Sequence, residues 1–532
     1  MELKFEQKPI SLLHIIMLAV VLWGGEYIRR ELWDPDEARY AYVAREMSLS
    51  GNWAVPHRNE EAYSHKPPLM FWMINAFSLF NSGHINHVTA RLPSLVGMIM
   101  CLWALARLAQ RWDGNRTSWR AVITLVTMYL IWHEGGWGRT DALLLGFEMM
   151  ALYFLFTNDD RPSFWRPFAA YSCMGLAILT KGPVGFIIPW GAYFFALLAS
   201  DRRALRKWHW LWGPLVALLF PALWLGCAWS AGAPEQYFRE ILISQHTGRI
   251  SGERGHSQSL FYYLIYYPVS LLPWAVFVPA IFMSMRKAAA ETQSLWRAIT
   301  WRRMVAWILF VVIFFSIPGG KRHIYVLLAF PPAAMMIASA WDILDNRAGR
   351  ISAKVAIALL MLLATAAVAA GCLVSVPFEK LLLAPFVILM VVGSLFLALK
   401  LKAKGVNAEW LYSFAAIVLV MQMYVGAFIY PAFNSVKVPV AFSKMVKQEL
   451  TPEERLIYFR MNGEIISYHC ERIANVFYND ADLISAMQSR KKGIFVAEEY
   501  FWNMLNPETK AMLSTNTFNV GSKSFVWARF SM

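Results

Sequence analysis

The sequence predicts an all-α polytopic membrane protein of about thirteen transmembrane helices, followed by a small C-terminal α/β domain. Three observations lead there. First, 58% of the 532 residues are hydrophobic, only 16% are charged and the mean hydropathy is +0.40, against roughly 25% charged residues in soluble proteins. Second, apolar stretches such as 9–28 and 351–374 recur along the chain and reach the ~20 residues that cross a bilayer. They are continuous rather than alternating, which excludes a β-barrel. Third, the net charge of +15 is divided among short basic clusters between apolar runs: Arg202, Arg203, Arg206 and Lys207; Arg286, Lys287, Arg297, Arg302 and Arg303; Lys400, Lys402 and Lys404. Cytoplasmic loops have this pattern. A nucleic-acid binder instead gathers its charge on one soluble face.

Spans are expected at 9–28, 88–110, 119–136, 141–157, 166–180, 183–200, 210–229, 259–283, 303–317, 324–341, 353–375, 381–399 and 410–429. The first is longer than the apolar region of a signal peptide and lacks a small-residue cleavage site, so it reads as uncleaved. A cytoplasmic N-terminus puts every basic cluster on the cytoplasmic side, and an odd number of spans leaves the tail outside. Residues 1–430 then form the transmembrane part. Within it, 29–87 is an external insertion with a short helix over 35–48 and an apolar one over 67–80, expected to lie along the membrane surface. The tail, 431–532, mixes strand-like stretches (456–460, 494–497, 524–530) with helix-like ones (441–450, 482–490) and reads as an external α/β domain. The five cysteines form no CxxC and no metal-ligand spacing, so they mark neither a zinc site nor a disulfide framework.

The chemistry is expected at the external surface. In Trp33-Asp34-Pro35-Asp36-Glu37-Ala38-Arg39-Tyr40, a helix opened by Pro35 puts Asp36, Arg39 and Tyr40 on one face. Arg39 can then hold Asp36 ionised with its carboxylate towards a cleft, which makes Asp36 a candidate functional carboxylate and Glu37, Arg39 and Tyr40 candidate substrate contacts. Lys66 precedes Pro67-Pro68, Lys181 precedes Gly182-Pro183, and Lys321, with Arg322, follows Gly319-Gly320. All three lysines fall on the side that the positive-inside bias disfavours, each just before a helix whose free N–H groups attract anions. That combination predicts a phosphate site at headgroup depth, with Arg249 as a bidentate partner. Asp141 opens a span at the same surface, and an ionisable residue there is a functional candidate. His65 adjoins Lys66, and His84 and His87 have helical spacing, but no further ligand completes a metal set.

These residues carry a resemblance. Pro35-Asp36-Glu37-Ala38-Arg39-Tyr40, Ser50-Gly51-Asn52-Trp53, Tyr63, Lys66-Pro67-Pro68-Leu69 and Arg91-Leu92-Pro93-Ser94 occur in that order, followed by Leu179-Thr180-Lys181-Gly182, Leu272-Pro273-Trp274 and Phe315-Ser316 to Lys321 and Tyr325. Over about residues 10–340 the chain resembles the ArnT-type aminoarabinose transferases, relatives of the protein O-mannosyltransferases with the GT-C membrane glycosyltransferase fold. The resemblance implies an inner-membrane enzyme that takes a sugar from undecaprenyl phosphate on the periplasmic side and moves it to lipid A or another acceptor. It implies that Asp36 and Asp141 are the acidic catalytic positions, that Arg39, Tyr40, Tyr63 and Lys66 line the cleft, and that Lys181, Arg249 and Tyr325 lie near the lipid phosphate. Where the family commonly has Phe-Glu before Lys-Pro-Pro, this chain has Ser64-His65. That Glu is associated with a divalent metal in the family, so the metal ligand that the resemblance implies is missing here, and His65 is the one side chain at that place able to ligate a metal instead.

The expected chemistry is a single displacement with inversion, because no second carboxylate is evidently paired for a covalent intermediate. Three alternatives remain, one of them a non-catalytic membrane scaffold or receptor, which leaves the ordered acids and lysines of the first external loop unexplained. A protein O-glycosyltransferase uses the same donor chemistry on another acceptor. A flippase for lipid-linked sugars predicts inverted repeats or broken helices at the midplane, and neither is evident.

Overall fold

The computed structural model describes residues 4–244, 258–291, 295–373, 380–451, 453–490 and 492–531. Helix α1 (Leu12–Arg29) is capped by Ser11, whose hydroxyl accepts from the His14 N–H at 3.3 Å, satisfying one of the orphan donors of a first turn. Ile15, Ala19, Leu22 and Trp23 face the core, while Leu13, Val20, Val21 and Ile28 are exposed. An outer surface this apolar is one that lipid covers. The chain is a membrane protein.

Among the described residues, nine helices are long and apolar enough to cross a membrane, or ten if the bent pair Tyr262–Ser270 and Trp274–Met285 is one span. The remaining expected spans fall on shorter or merged helices. After α2 (Asp36–Ser50), the hairpin of β1 (His57–Arg58) and β2 (Glu61–Ala62), and α3 (Leu69–Ser78), the chain enters α4 (Leu92–Val126). This helix joins two expected spans across Gly114, where φ of 89° breaks the helical backbone. The expected span at 119–136 is therefore divided between α4 and α5 (Tyr129–Gly136), and α7 (Trp165–Lys181) and α8 (Val184–Leu198) carry the spans at 166–180 and 183–200.

Two features position the site. The first is the approach of α4 to α6 (Thr140–Asp160). A Cβ on Gly97 would meet the Ala142 carbonyl oxygen at 2.2 Å, and one on Gly146 would meet that of Gly97 at 2.5 Å. Only glycines let the two backbones come this close. The second is the double burial of α2. Tyr40, Val43 and Met47 pack with Phe71 and Ile74 of α3, while Ala38 and Ala41 join a core with Phe442, Ile466 and Tyr468 of the C-terminal region. Helix α2 is thus clamped between the two.

The C-terminal region holds a five-stranded sheet of β3 (Arg455–Phe459), β4 (Ala474–Phe477), β5 (Lys492–Glu498), β6 (Thr515–Val520) and β7 (Lys523–Ser531) in the order β4-β3-β5-β7-β6. β3 is parallel to β4 and β5, and β7 is antiparallel to β5 and β6. Alternation along β3 sends Leu456 and Tyr458 to a core with Phe442 and Val446, and Ile457 and Phe459 to one with Leu483 and Met487. Helices cover both faces, which makes the region α/β.

Candidate active site

A polar cavity of about 130 Å³ lies where α2, α3 and α6 meet the end of α7. Asp36, Arg39 and Tyr40 of α2 line it, as the i, i+3, i+4 spacing predicts. Tyr63, His65 and Lys66 reach it from the segment before α3, and Asp141, Lys181 and Tyr325 complete it with Arg322. Four cations thus surround two acids. Asp36 lies 3.8 Å from Arg39 Nη1, 3.4 Å from Arg139 Nε and 3.8 Å from Arg322 Nη2. Lys181 Nζ donates to Asp141 Oδ1 and stands 5.0 Å over the Tyr325 ring. Lys181 ends α7, and Gly182, with φ of 91°, turns the chain into α8. The lysine therefore sits at a helix–helix corner, not only ahead of a helix.

A second cavity, about 580 Å³ and mostly apolar, opens from the same corner. Leu144, Ile187, Phe314, Phe315 and Leu328 contribute to its wall, and Asp141, Lys181, Ile324 and Tyr325 belong to both cavities. A polar chamber thus adjoins a larger apolar one, with an ion pair at the seam. Such an arrangement suits a ligand that has an anionic head and a hydrocarbon tail.

Two sequence expectations change. Glu37 is not a substrate contact. Its carboxylate is fully buried, accepts from Arg30 at 2.7 and 3.1 Å and from Arg91 at 2.8 and 3.1 Å, and takes the Gly138 and Trp33 N–H groups as well. Burial opposes its charge, yet the two guanidiniums hold its pKa well below the usual carboxylate range. It ties α1 to α2 and α4. Lys321 is not in the cavity either: it is buried and donates to the carbonyls of Gln258 and Pro318, and its neighbour Arg322 faces the cavity instead. Arg249 lies outside the described residues.

His65 lines the cavity, but partial withdrawal from water, followed by Arg58, Arg39 and Lys66, lowers its imidazole to about 4. Among the described residues no three His, Cys, Asp or Glu side chains converge on a point. Both cavity acids are already engaged by cations, so these residues do not fit a divalent metal.

Arg139, which its place near Asp141 suggests as that acid's partner, pairs with Asp36 and Glu134. Sequence reasoning did not single out three further residues. Arg58 stands over the ring of Tyr63 at the cavity. Glu148 is buried on α6 and lines the apolar cavity; an acid within an apolar run was the signal that could have found it. Glu464 comes from the C-terminal region and bonds Arg39, and no local signal marks it.

A family model described as dolichyl-phosphate-mannose-protein mannosyltransferase matches residues 65–225. An undecaprenyl phosphate-alpha-4-amino-4-deoxy-L-arabinose arabinosyl transferase from Shewanella sediminis is 29% identical over 399 residues, 71% of this chain and 70% of that protein. Another of that name, from Pectobacterium carotovorum, is 28% identical over 466 residues, 83% and 80% of the two chains. The crystal structure of ArnT from Cupriavidus metallidurans bound to undecaprenyl phosphate matches with a TM-score of 0.78 at 20% identity, covering 97% of each chain. Its apo form matches at 0.76. By sequence the chain is a homologue of the aminoarabinose transferases, and its fold is theirs, the GT-C membrane glycosyltransferase fold.

Proposed function

We propose that this chain is an inner-membrane glycosyltransferase that moves a sugar of the 4-amino-4-deoxy-L-arabinose class from undecaprenyl phosphate to lipid A. The observation that carries the reading is the junction of the polar and apolar cavities at Asp141 and Lys181. The undecaprenyl chain occupies the apolar cavity, its phosphate meets Lys181 at the seam, and the sugar occupies the polar chamber. In this reading 1–430 forms the catalytic transmembrane part, and both the cavity mouth and 431–532 face the periplasm.

Charge grows on the bridging phosphate as the glycosidic bond breaks. Lys181, Lys66 and Arg322 are preset around that charge and stabilise the transition state more than the ground state. Asp141 holds the Lys181 ammonium in place until the phosphate arrives. A lipid A phosphate attacks without a base, and Asp36 then orients the sugar through its carboxylate. A hydroxyl acceptor would instead give its proton to Asp36. The displacement is single and inverting, because Asp141 is engaged by Lys181 and Asp36 by three guanidiniums, which leaves neither disposed as a nucleophile.

The match at 65–225 favours one second reading, a protein O-glycosyltransferase. Mass spectrometry of lipid A and of periplasmic glycopeptides, from cells with and without the gene, separates the two. Loss of an aminoarabinose adduct from lipid A supports the first reading. An unchanged lipid A with lost glycopeptides replaces it with the second.

A further inference from the structure

We infer that Glu464, far outside the transmembrane part in sequence, is a positioning residue for the transfer step, an inference that rests on the transferase reading. Its side chain is 8% exposed, and its Oε1 accepts from Arg39 Nε at 3.3 Å and from Arg58 Nη1 at 3.5 Å. Arg39 lines the polar cavity and lies 3.8 Å from Asp36, and Asp36 in turn is within 3.8 Å of Arg322. Arg58 belongs to the β1–β2 hairpin and stands 5.7 Å over the ring of Tyr63, another cavity residue. One carboxylate of the C-terminal region thus holds two arginines that border the reaction chamber.

The mount for this carboxylate is rigid. Glu464 follows Gly463, which has φ of 56° and has no room for a side chain: a Cβ would meet Tyr458 Cε2 at 2.3 Å. Tyr458 is fully buried on β3 and donates its hydroxyl to the Gly463 carbonyl at 3.2 Å. The sheet therefore fixes where Glu464 points. Arginine has a long stem with much rotamer freedom. Without Glu464, Arg39 keeps the longer contact to Asp36 and the neighbouring Tyr63 hydroxyl, and its guanidinium is less constrained. A displacement of about 1 Å in a group that holds a reacting carboxylate is worth up to ~10²-fold in rate. Glu464 removes that freedom, so the C-terminal region is a component of the active site.

Two measurements on the full chain test this, with Glu471→Gln as control. Glu471 also joins the C-terminal region to α2, at 3.7 Å from Arg45, but it is exposed and away from the cavity. In a transfer assay with undecaprenyl phosphate-aminoarabinose and lipid A, Glu464→Gln should lower kcat about tenfold or more with little change in donor KM, and Glu471→Gln should match wild type. Adding Glu464→Gln to Arg39→Lys should cost less than the sum of the two single losses, because both changes break the Arg39–Glu464 contact and only Glu464→Gln also releases Arg58. Additive losses, an unchanged kcat, or an equal loss in Glu471→Gln would overturn the assignment. Hydrogen–deuterium exchange without substrate is the second measurement. Glu464→Gln should speed exchange in the peptides covering α2 and the β1–β2 hairpin, and Glu471→Gln should leave the hairpin unaffected. Unchanged exchange in both peptides sinks the positioning role whatever the substrate. A wild-type protein that transfers nothing to lipid A, yet shows the exchange effect, sinks the functional reading and leaves the Glu464 contact standing.

Discussion

Lys181, at the end of α7, pairs with Asp141, in the first turn of α6, at the seam of the polar and apolar cavities. Both side chains are almost fully withdrawn from water. Breaking a buried pair by removing one partner costs more than the pair contributes, because the other charge is left uncompensated. Lys181→Ala should therefore weaken undecaprenyl phosphate binding and lower transfer by about 10²-fold or more. Titration of the purified protein with the carrier lipid and a transfer assay check it. Undiminished affinity would remove Lys181 from the phosphate site.

Asp36 is contacted by three guanidiniums from three parts of the chain. Asp36→Asn keeps the shape and removes the charge, so transfer should fall by about 10²-fold or more while the melting temperature in detergent stays near wild type. Lys66→Ala should also abolish transfer without loss of expression. Full activity in either variant takes that residue out of the mechanism.

Lys321 and Arg322 are neighbours with opposite surroundings. Arg322→Ala should lower transfer about tenfold or more by removing a cavity cation. Lys321→Ala should lower thermal stability first, since it empties a buried position and strips the donor from two carbonyls. Paired melting curves and activities tell the two apart, and the reverse pattern would contradict the arrangement.

Glu37→Gln should destabilise the fold by about 3–5 kcal/mol, because Arg30 and Arg91 lose their shared counter-charge. The sign with pH follows from its depressed pKa: this stability is fully present above the ordinary value of 4.5 and is lost as pH falls below it. Acid unfolding that is less steep in Glu37→Gln than in wild type is the expected result. Identical acid limbs would argue against it.

His65, lowered to about 4, stays neutral across the physiological range. Its replacement by Asn should leave the shape of the pH–rate profile unaltered between about pH 5 and 8. A limb near the ordinary histidine pKa that vanishes in the variant would show that the imidazole titrates during catalysis.

Much of this was legible along the chain. Spanning helices announce themselves because lipid demands continuous apolar length, and a helix repeats its faces every three to four residues, which brought Asp36, Arg39 and Tyr40 together. Glu37 is next to Asp36, but the helix turns it about 100° away, toward Arg30 and Arg91. No local pattern reports that those arginines wait there. The choice between Lys321 and Arg322 depends on which way a short irregular segment faces, a matter of backbone path rather than composition.

By itself, then, the sequence determined the solvent, the helices and most of the cations and acids of the candidate site, since each follows from local composition and spacing. Only the tertiary structure decided which of them share a chamber. It joined Asp141 to Lys181 across 40 residues and Arg39 to Glu464 across 425. It also drew α6 against α4 through two glycines and set a polar cavity against an apolar one. Contacts between distant segments arise from packing complementarity over whole surfaces, and that information is spread across the chain rather than written at any one position in it.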